Sequence, residues 1–68
     1  MDKEWQLIYY SDKKHQVQIV KAVLADSGIE SVEIDKQDSS YITIGDTELY
    51  VRNENAALAK IIIEQNKL

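Results

Sequence analysis

The stretch VQIVKAVLADSGIESVEID, residues 17–35, decides the fold, because a helical pattern changes into a strand pattern within it. Its first part has apolar residues at helical spacing, which predicts an amphipathic helix. The expected buried stripe, with Ile19 at its margin, consists of Val17, Val20, Val23 and Leu24. Gly28 is expected to end this helix, because glycine readily adopts the left-handed conformation of a helix C-terminus. From Ile29 to Asp35 apolar and polar residues alternate, which predicts a half-buried strand with Val32 and Ile34 facing the helices.

Upstream of this stretch, the aromatic and β-branched run WQLIYY, residues 5–10, predicts a first strand. Its register stays open, and the face away from the helices carries either Ile8 and Tyr10, or Trp5, Leu7 and Tyr9. Ser11 or Asp12 is expected to cap the helix that follows, because a short side-chain oxygen can accept a bond from a free backbone N–H.

Downstream, the polar run from Lys36 to Ser40 is expected to be a loop. Two alternating runs, Tyr41–Ile44 and Glu48–Arg52, flank Gly45-Asp46 and predict a hairpin, although the first of them could instead continue the second strand. Asn53 is expected to cap a last helix. The apolar stripe predicted for that helix consists of Ala57, Leu58, Ile61 and Ile62, with Gln65 at its end.

The predicted order is therefore β-α-β-β-β-α in a single domain over residues 1–68. Two helices on one face of a small sheet are the natural layering for such an order. The expected fold class is α+β, a ferredoxin-like (PII-like) two-layer sandwich that lacks the last ferredoxin strand. The missing strand would leave a sheet edge open to another chain.

Composition narrows the classes of function. The 68 residues carry a net charge of −4 and no cysteine, and apolar runs such as Ile61–Ile63 are far too short to span a membrane. A cysteine-free chain with a charged start, Met1–Glu4, is expected to lack a signal peptide and to be cytoplasmic. Scattered basic residues make nucleic acid an unfavourable partner, because phosphate binding requires clustered Lys and Arg.

Several segments together resemble a known family: Trp5 before a short strand, residues 19–30, Gly45, the strand Glu48–Val51, and residues 55–62. The chain is similar over nearly its whole length to a bacterial family of signal-transducing proteins, a domain of unknown function related in fold to the PII nitrogen-regulatory proteins. The resemblance implies a ferredoxin-like fold and a regulatory or binding role. It implies no catalytic residue.

The first candidate site is the face of the sheet away from the helices. Tyr10, Tyr41 and Tyr50 are its candidate binding residues, and Thr43 and Arg52 are expected beside them. An apolar surface rimmed by polar groups is typical of an interaction site, whereas tyrosine also simply favours strands. We therefore expect a small non-enzymatic binding module, regulatory or adaptor in role, whose partner is another protein or a second copy of the chain.

The second candidate site is the start of the first helix, where Lys13, Lys14 and His15 could hold an anion at the helix N-terminus. The alternative function is accordingly a sensor of an anionic metabolite or nucleotide. Ordinary solvated charge explains the same residues.

No enzyme is expected from the side chains available. His15 has no nucleophile beside it and no Cys or second His with which to bind a metal. Ser39 and Ser40 lie outside any Gly-x-Ser-x-Gly pattern, and two glycines cannot form a phosphate loop. The acids Asp35, Asp38, Asp46 and Glu48 do not have calcium-loop spacing. We expect no catalytic residue, no metal ligand and no cofactor.

Overall fold

A computed structural model describes residues 4–35 and 47–68. The elements follow the order β1 (Trp5–Ser11), α1 (Lys14–Asp26), β2 (Ser31–Asp35), β3 (Thr47–Arg52) and α2 (Asn53–Gln65). The protein is a small α+β fold with a three-stranded antiparallel sheet and two helices in these residues. The predicted loop Lys36–Ser40 and the predicted strand Tyr41–Ile44 lie outside them. Neither described helix has the length and apolar character needed to cross a bilayer.

The central strand of the sheet is β3, which pairs antiparallel with β1 on one side and with β2 on the other. Because both neighbours oppose β3, β1 and β2 run in the same direction and are joined through α1. The expected βαβ unit is confirmed, with a later strand inserted between its two strands. From Thr47 to Arg52, β3 is paired on both sides, with β1 on one edge and with β2 on the other.

Both helices lie on one face of the sheet and contact each other. Between them and the sheet lies the core, which consists of Val17, Val20, Leu24, Ile29, Leu49, Val51, Ala56, Ala59 and Ile62. The stripe predicted for α1 is confirmed, since Val17, Val20 and Leu24 are buried and Val23 packs against them. Ile19, the marginal residue, remains largely exposed.

The C-terminus of α1 follows the sequence prediction closely. Gly28 has φ +82°, the left-handed conformation expected of it. Its N–H donates to the carbonyl of Ala25 at 3.0 Å, and the N–H of Ile29 donates to the carbonyl of Leu24 at 2.9 Å. This pair of bonds is the Schellman motif, and the apolar contact that accompanies it places Ile29 in the core.

The predicted stripe of α2 is wrong by about one residue. Leu58 and Ile61 are each 50% exposed, whereas Ala56 and Ala59 are buried with Ile62. The helix begins at Asn53, directly after β3 ends at Arg52. With no loop between strand and helix, the direction of β3 sets the rotation of α2, and small alanines rather than larger residues face the sheet.

The helix caps also differ from the predictions. The N-cap positions belong to Lys13 and Arg52, and neither side chain makes a capping bond. The hydroxyl oxygen of Ser11 instead accepts a bond from the N–H of Lys13 at 3.0 Å, one turn before the helix. Asn53 is the first helical residue, and its N–H donates to the carbonyl of Glu4 at 2.8 Å. A short side chain therefore shapes the turn before α1, whereas a backbone bond shapes the turn before α2.

Candidate functional site: the outer face of the sheet

Neither described helix covers the second face of the sheet. Along β3, alternate residues are buried against the helices, and Glu48, Tyr50 and Arg52 point the other way. Residues directly opposite each other in an antiparallel ladder share a face. The pairing therefore defines an outer face of eight residues: Trp5, Leu7 and Tyr10 on β1, Val32 and Ile34 on β2, and Glu48, Tyr50 and Arg52 on β3.

A β-bulge in β1 decides which of its side chains reach this face. Leu7 pairs with Tyr50 and Tyr9 pairs with Leu49, so Ile8 is an extra residue that pairs with no residue of β3. Ile8 and Tyr9 both pack against the core. Neither register left open by the sequence is therefore correct for the whole strand. The bulge supplies two consecutive core residues while Trp5, Leu7 and Tyr10 all stay on the outer face.

The prediction for β2 is wrong about its buried side. Val32 pairs with Tyr50 and Ile34 pairs with Glu48, so both lie on the outer face instead of facing the helices. The polar residues Ser31, Glu33 and Asp35 take the helix side. β2 is an edge strand of the described sheet, where Glu33 and Asp35 can reach solvent beside the helix layer, whereas the Ser31 hydroxyl is buried and makes no hydrogen bond within the described residues. Ile29, just before the strand, supplies the core contact that the alternating residues do not.

The outer face is arranged in three rows that run across the strands. Leu7, Tyr50 and Val32 form an apolar middle row. Tyr10, Glu48 and Ile34 form the row on one side of it, and Trp5 with Arg52 forms the row on the other side. One acidic and one basic side chain thus flank the middle row on β3, four residues or about 13 Å apart at ~3.3 Å per residue.

Internal contacts orient the polar groups of this face. The guanidinium carbon of Arg52 lies 5.1 Å from the centroid of the Trp5 ring. Its Nη1 is 3.6 Å from Oε2 of Glu4, and 44% of the Arg52 side chain remains exposed. The Tyr50 hydroxyl donates to Oε1 of Glu48 at 2.9 Å. Both charged residues are therefore held on the surface of the sheet and still meet solvent.

The structure brings together two of the three tyrosines predicted from the sequence. Tyr10 and Tyr50 lie on the outer face, and Tyr10 is 49% exposed. Tyr41 lies outside the described residues. Sequence reasoning missed Val32 and Ile34 as members of this face and left Trp5 and Leu7 undecided. The signal that it lacked was the pairing of both edge strands with β3.

The second predicted site is not assembled. Lys14 lies 3.3 Å from the carboxylate of Asp35, so its charge is already balanced from β2. Lys13 precedes the helix and His15 is exposed beyond Lys14. Lys14 and His15 are consecutive helical residues and point about 100° apart, while Lys13 is the extended N-cap, so the helix geometry does not direct the three side chains to one point.

Other surface features of the described residues give weaker support for a binding site. A shallow depression of about 310 Å³ is lined by Glu4, Arg52, Asn53 and Glu54, where two carboxylates face one guanidinium. The described residues contain no group of three or more His, Cys, Asp or Glu side chains that could hold a metal ion. Leu58 and Ile61, one turn apart on α2, form a second and smaller apolar surface.

No family model, no curated protein and no solved structure matches this chain. The resemblance to the bacterial signal-transducing family therefore stays a prediction. The geometry of the chain's own residues, above all that of the outer face, is what indicates a function.

Proposed function

We propose that this chain is a small non-enzymatic binding module that associates with a protein through the outer face. One observation carries the proposal: six aromatic or aliphatic side chains lie side by side on a face that neither described helix covers. These are Trp5, Leu7, Tyr10, Val32, Ile34 and Tyr50. Contiguous apolar surface with charge at its margin is typical of protein interaction sites.

The outer face is the open surface of a sheet, which favours a macromolecule over a small ligand. Small-molecule sites are concave and enclose most of their ligand, whereas a sheet surface encloses nothing. A protein surface can instead cover the whole face at once. Tyrosine, tryptophan and arginine, the residue types enriched at the energetic centres of protein interfaces, are all present on it.

Charge opposes a nucleic acid on the same face. Aromatic residues on an open sheet can stack bases, but such sites combine them with basic grooves that follow the phosphates. Here Arg52 is the one basic residue of the outer face, and it is matched by Glu48. The net charge of the chain is −4. Electrostatics therefore supports a protein partner.

The proposal includes the finer assignments made from the sequence. The insertion of β3 between β1 and β2, with both helices on one side, supports a ferredoxin-like arrangement that lacks its last strand. A regulatory or adaptor role is supported by the resemblance to the signal-transducing family. The cytoplasmic setting expected of the cysteine-free sequence belongs to the same proposal.

The alternative, a sensor of an anionic ligand at the start of α1, has less support. Its N–H groups have no side-chain cap, which suits an anion. Lys14, however, is paired with Asp35, and Lys13 lies before the helix at its N-cap position. Replacing Lys13 and Lys14 with Ala would abolish such binding and leave the outer face intact.

Site-specific photo-crosslinking in the cells that make the chain tests the main proposal. A photoreactive phenylalanine analogue replaces Tyr50 in one version and Leu58, which is 50% exposed on α2, in the control. We expect protein adducts at position 50, few at position 58, and loss of the former when L7D is added. No adduct at position 50, adducts that L7D leaves unchanged, or adducts to RNA alone would overturn the proposal.

A further inference from the structure

We infer that the partner on the outer face is a second copy of this chain, related by a two-fold axis that runs across the strands along the middle row. The inference rests on the proposed function, because it assumes that the outer face binds protein. It adds the identity of that protein and the orientation in which it sits. The charged and apolar residues of the three rows support both.

Two face-to-face arrangements with a two-fold axis align the strands of the two sheets. With the axis parallel to β3, Arg52 would lie against Arg52 of the second copy and Glu48 against Glu48. With the axis across the strands, along the middle row, each Arg52 lies against Glu48 of the other copy. Like charges in contact at an interface are strongly unfavourable, whereas opposite charges fix its orientation. The charges on β3 therefore favour the second arrangement, and Glu4, 3.6 Å from Arg52, offsets only part of the difference.

The apolar side chains match about the same axis. The middle row of Leu7, Tyr50 and Val32 meets the middle row of the other copy. Trp5 meets Tyr10 of the other copy, and aromatic pairs add to the free energy gained by burying them. The bulge at Ile8 contributes to this match, because it brings Tyr10 into the row of Glu48. An isologous interface requires such self-complementarity.

The size of the face sets the strength of the dimer. Three strands about 4.8 Å apart and about five residues long at ~3.3 Å each give a face of roughly 14 by 17 Å, or about 240 Å². Stable complexes bury ~800 Å² per partner. We therefore expect a weak dimer, with a dissociation constant of roughly 10 µM to 1 mM, that forms in a concentration-dependent manner.

Charge-reversal variants test both the partner and the orientation. The E48R chain carries two positive charges on the outer face, and the R52E chain carries two negative ones. We expect each alone to dimerise at least about tenfold more weakly than the native chain, because like charges then meet across the axis. An equimolar mixture is expected to dimerise again, as is the double variant E48R/R52E. Sedimentation equilibrium reads the mass against the 7.8 kDa monomer, and amide NMR spectra verify that each variant is folded.

Cross-linking supplies a second measurement that leaves the charges in place. The native chain has no cysteine, so L7C introduces a single thiol on the axis. Packed sheets lie about 10 Å apart, too far for a direct disulfide, so a short bis-maleimide is the appropriate reagent. We expect L7C to form cross-linked dimers and L58C, on α2, to remain uncross-linked.

The outcomes separate this inference from the proposed function. A native chain that stays monomeric at millimolar concentration, variants that associate as the native chain does, or a mixture that stays monomeric would each overturn the second-copy inference. If photo-crosslinks from position 50 to other proteins then persist, the outer face still binds protein and the proposed function stands. If those are absent as well, both fail.

Discussion

Arg52 at the end of β3 lies over the ring of Trp5 at the start of β1, with its guanidinium carbon 5.1 Å from the ring centroid. The two residues are directly opposite in the ladder between the strands. Glu4 approaches the same guanidinium from the side, and its carbonyl accepts the bond from the N–H of Asn53. The start of β1 is thus joined to the point where β3 becomes α2.

A double-mutant cycle with W5L and R52M measures this contact. We expect a coupling of about 0.5–1 kcal/mol in the free energy of unfolding, the range of a surface cation–π pair. Urea denaturation of the four chains at low micromolar concentration, where self-association is negligible, gives the values. E4Q is the control for the ion pair and should cost less than W5L, because exposed pairs contribute little. A coupling of zero would mean that Arg52 does not occupy the position over the ring.

The backbone conformation of Gly28 gives a second prediction. A Cβ at this position would meet no atom within 4 Å, so only the positive φ opposes a side chain. We expect G28A to destabilise the domain by about 1–2 kcal/mol, the cost of the left-handed region for an L-residue. G28N should cost clearly less, since asparagine tolerates that region. Equal losses for the two variants in thermal unfolding would contradict a purely conformational role.

The sequence predicted the structure correctly where the local residue pattern and the tertiary packing favour the same conformation. The end of α1 at Gly28 was predictable because it depends only on local backbone geometry. The alternation in Glu48–Arg52 correctly predicted that Tyr50 and Arg52 face away from the helices, since Leu49 and Val51 between them are buried. Because the helices cover only one face of the sheet, the apolar residues of the central strand β3 must point toward that face to be buried.

The predictions from sequence were wrong where pairing with a distant strand determines which face of the sheet a side chain occupies. Alternation in β2 shows that Val32 and Ile34 share a face, but the register with β3 determines which face that is. In β1 both possible registers place apolar residues on the outer face. The extra residue at Ile8 shifts the strand from one register to the other partway along its length. A bulge leaves no periodic trace in so short a run. The aromatic character of the candidate site was therefore predictable, whereas its full membership was not.

Thr47 gives a third prediction, about the core at the start of β3. Its side chain is fully buried, and its hydroxyl makes no hydrogen bond with any part of the chain that the structure describes. Burying a hydroxyl without a partner costs free energy, so T47V should stabilise the domain by up to about 1 kcal/mol. T47S is the control, because it keeps the hydroxyl, removes the methyl group and should destabilise. Urea denaturation that shows T47V to be destabilising would mean that the hydroxyl has a partner.

The rotation of α2 gives the fourth prediction, in which the sequence pattern and the structure disagree. The pattern would bury both Leu58 and Ile62, whereas the structure buries Ile62 and leaves half of Leu58 exposed. We expect I62A to cost about 2–5 kcal/mol, a core truncation, and L58A to stay within about 0.5 kcal/mol. At ~0.05–0.15 kcal/mol per residue, a domain of 68 residues has only about 3–10 kcal/mol of stability, so I62A should remove a large part of it and clearly lower the urea midpoint. Equal losses for the two variants would place α2 in the rotation that its sequence pattern suggests. Leu58 would then cease to be a valid control for the outer face, since it would belong to the core.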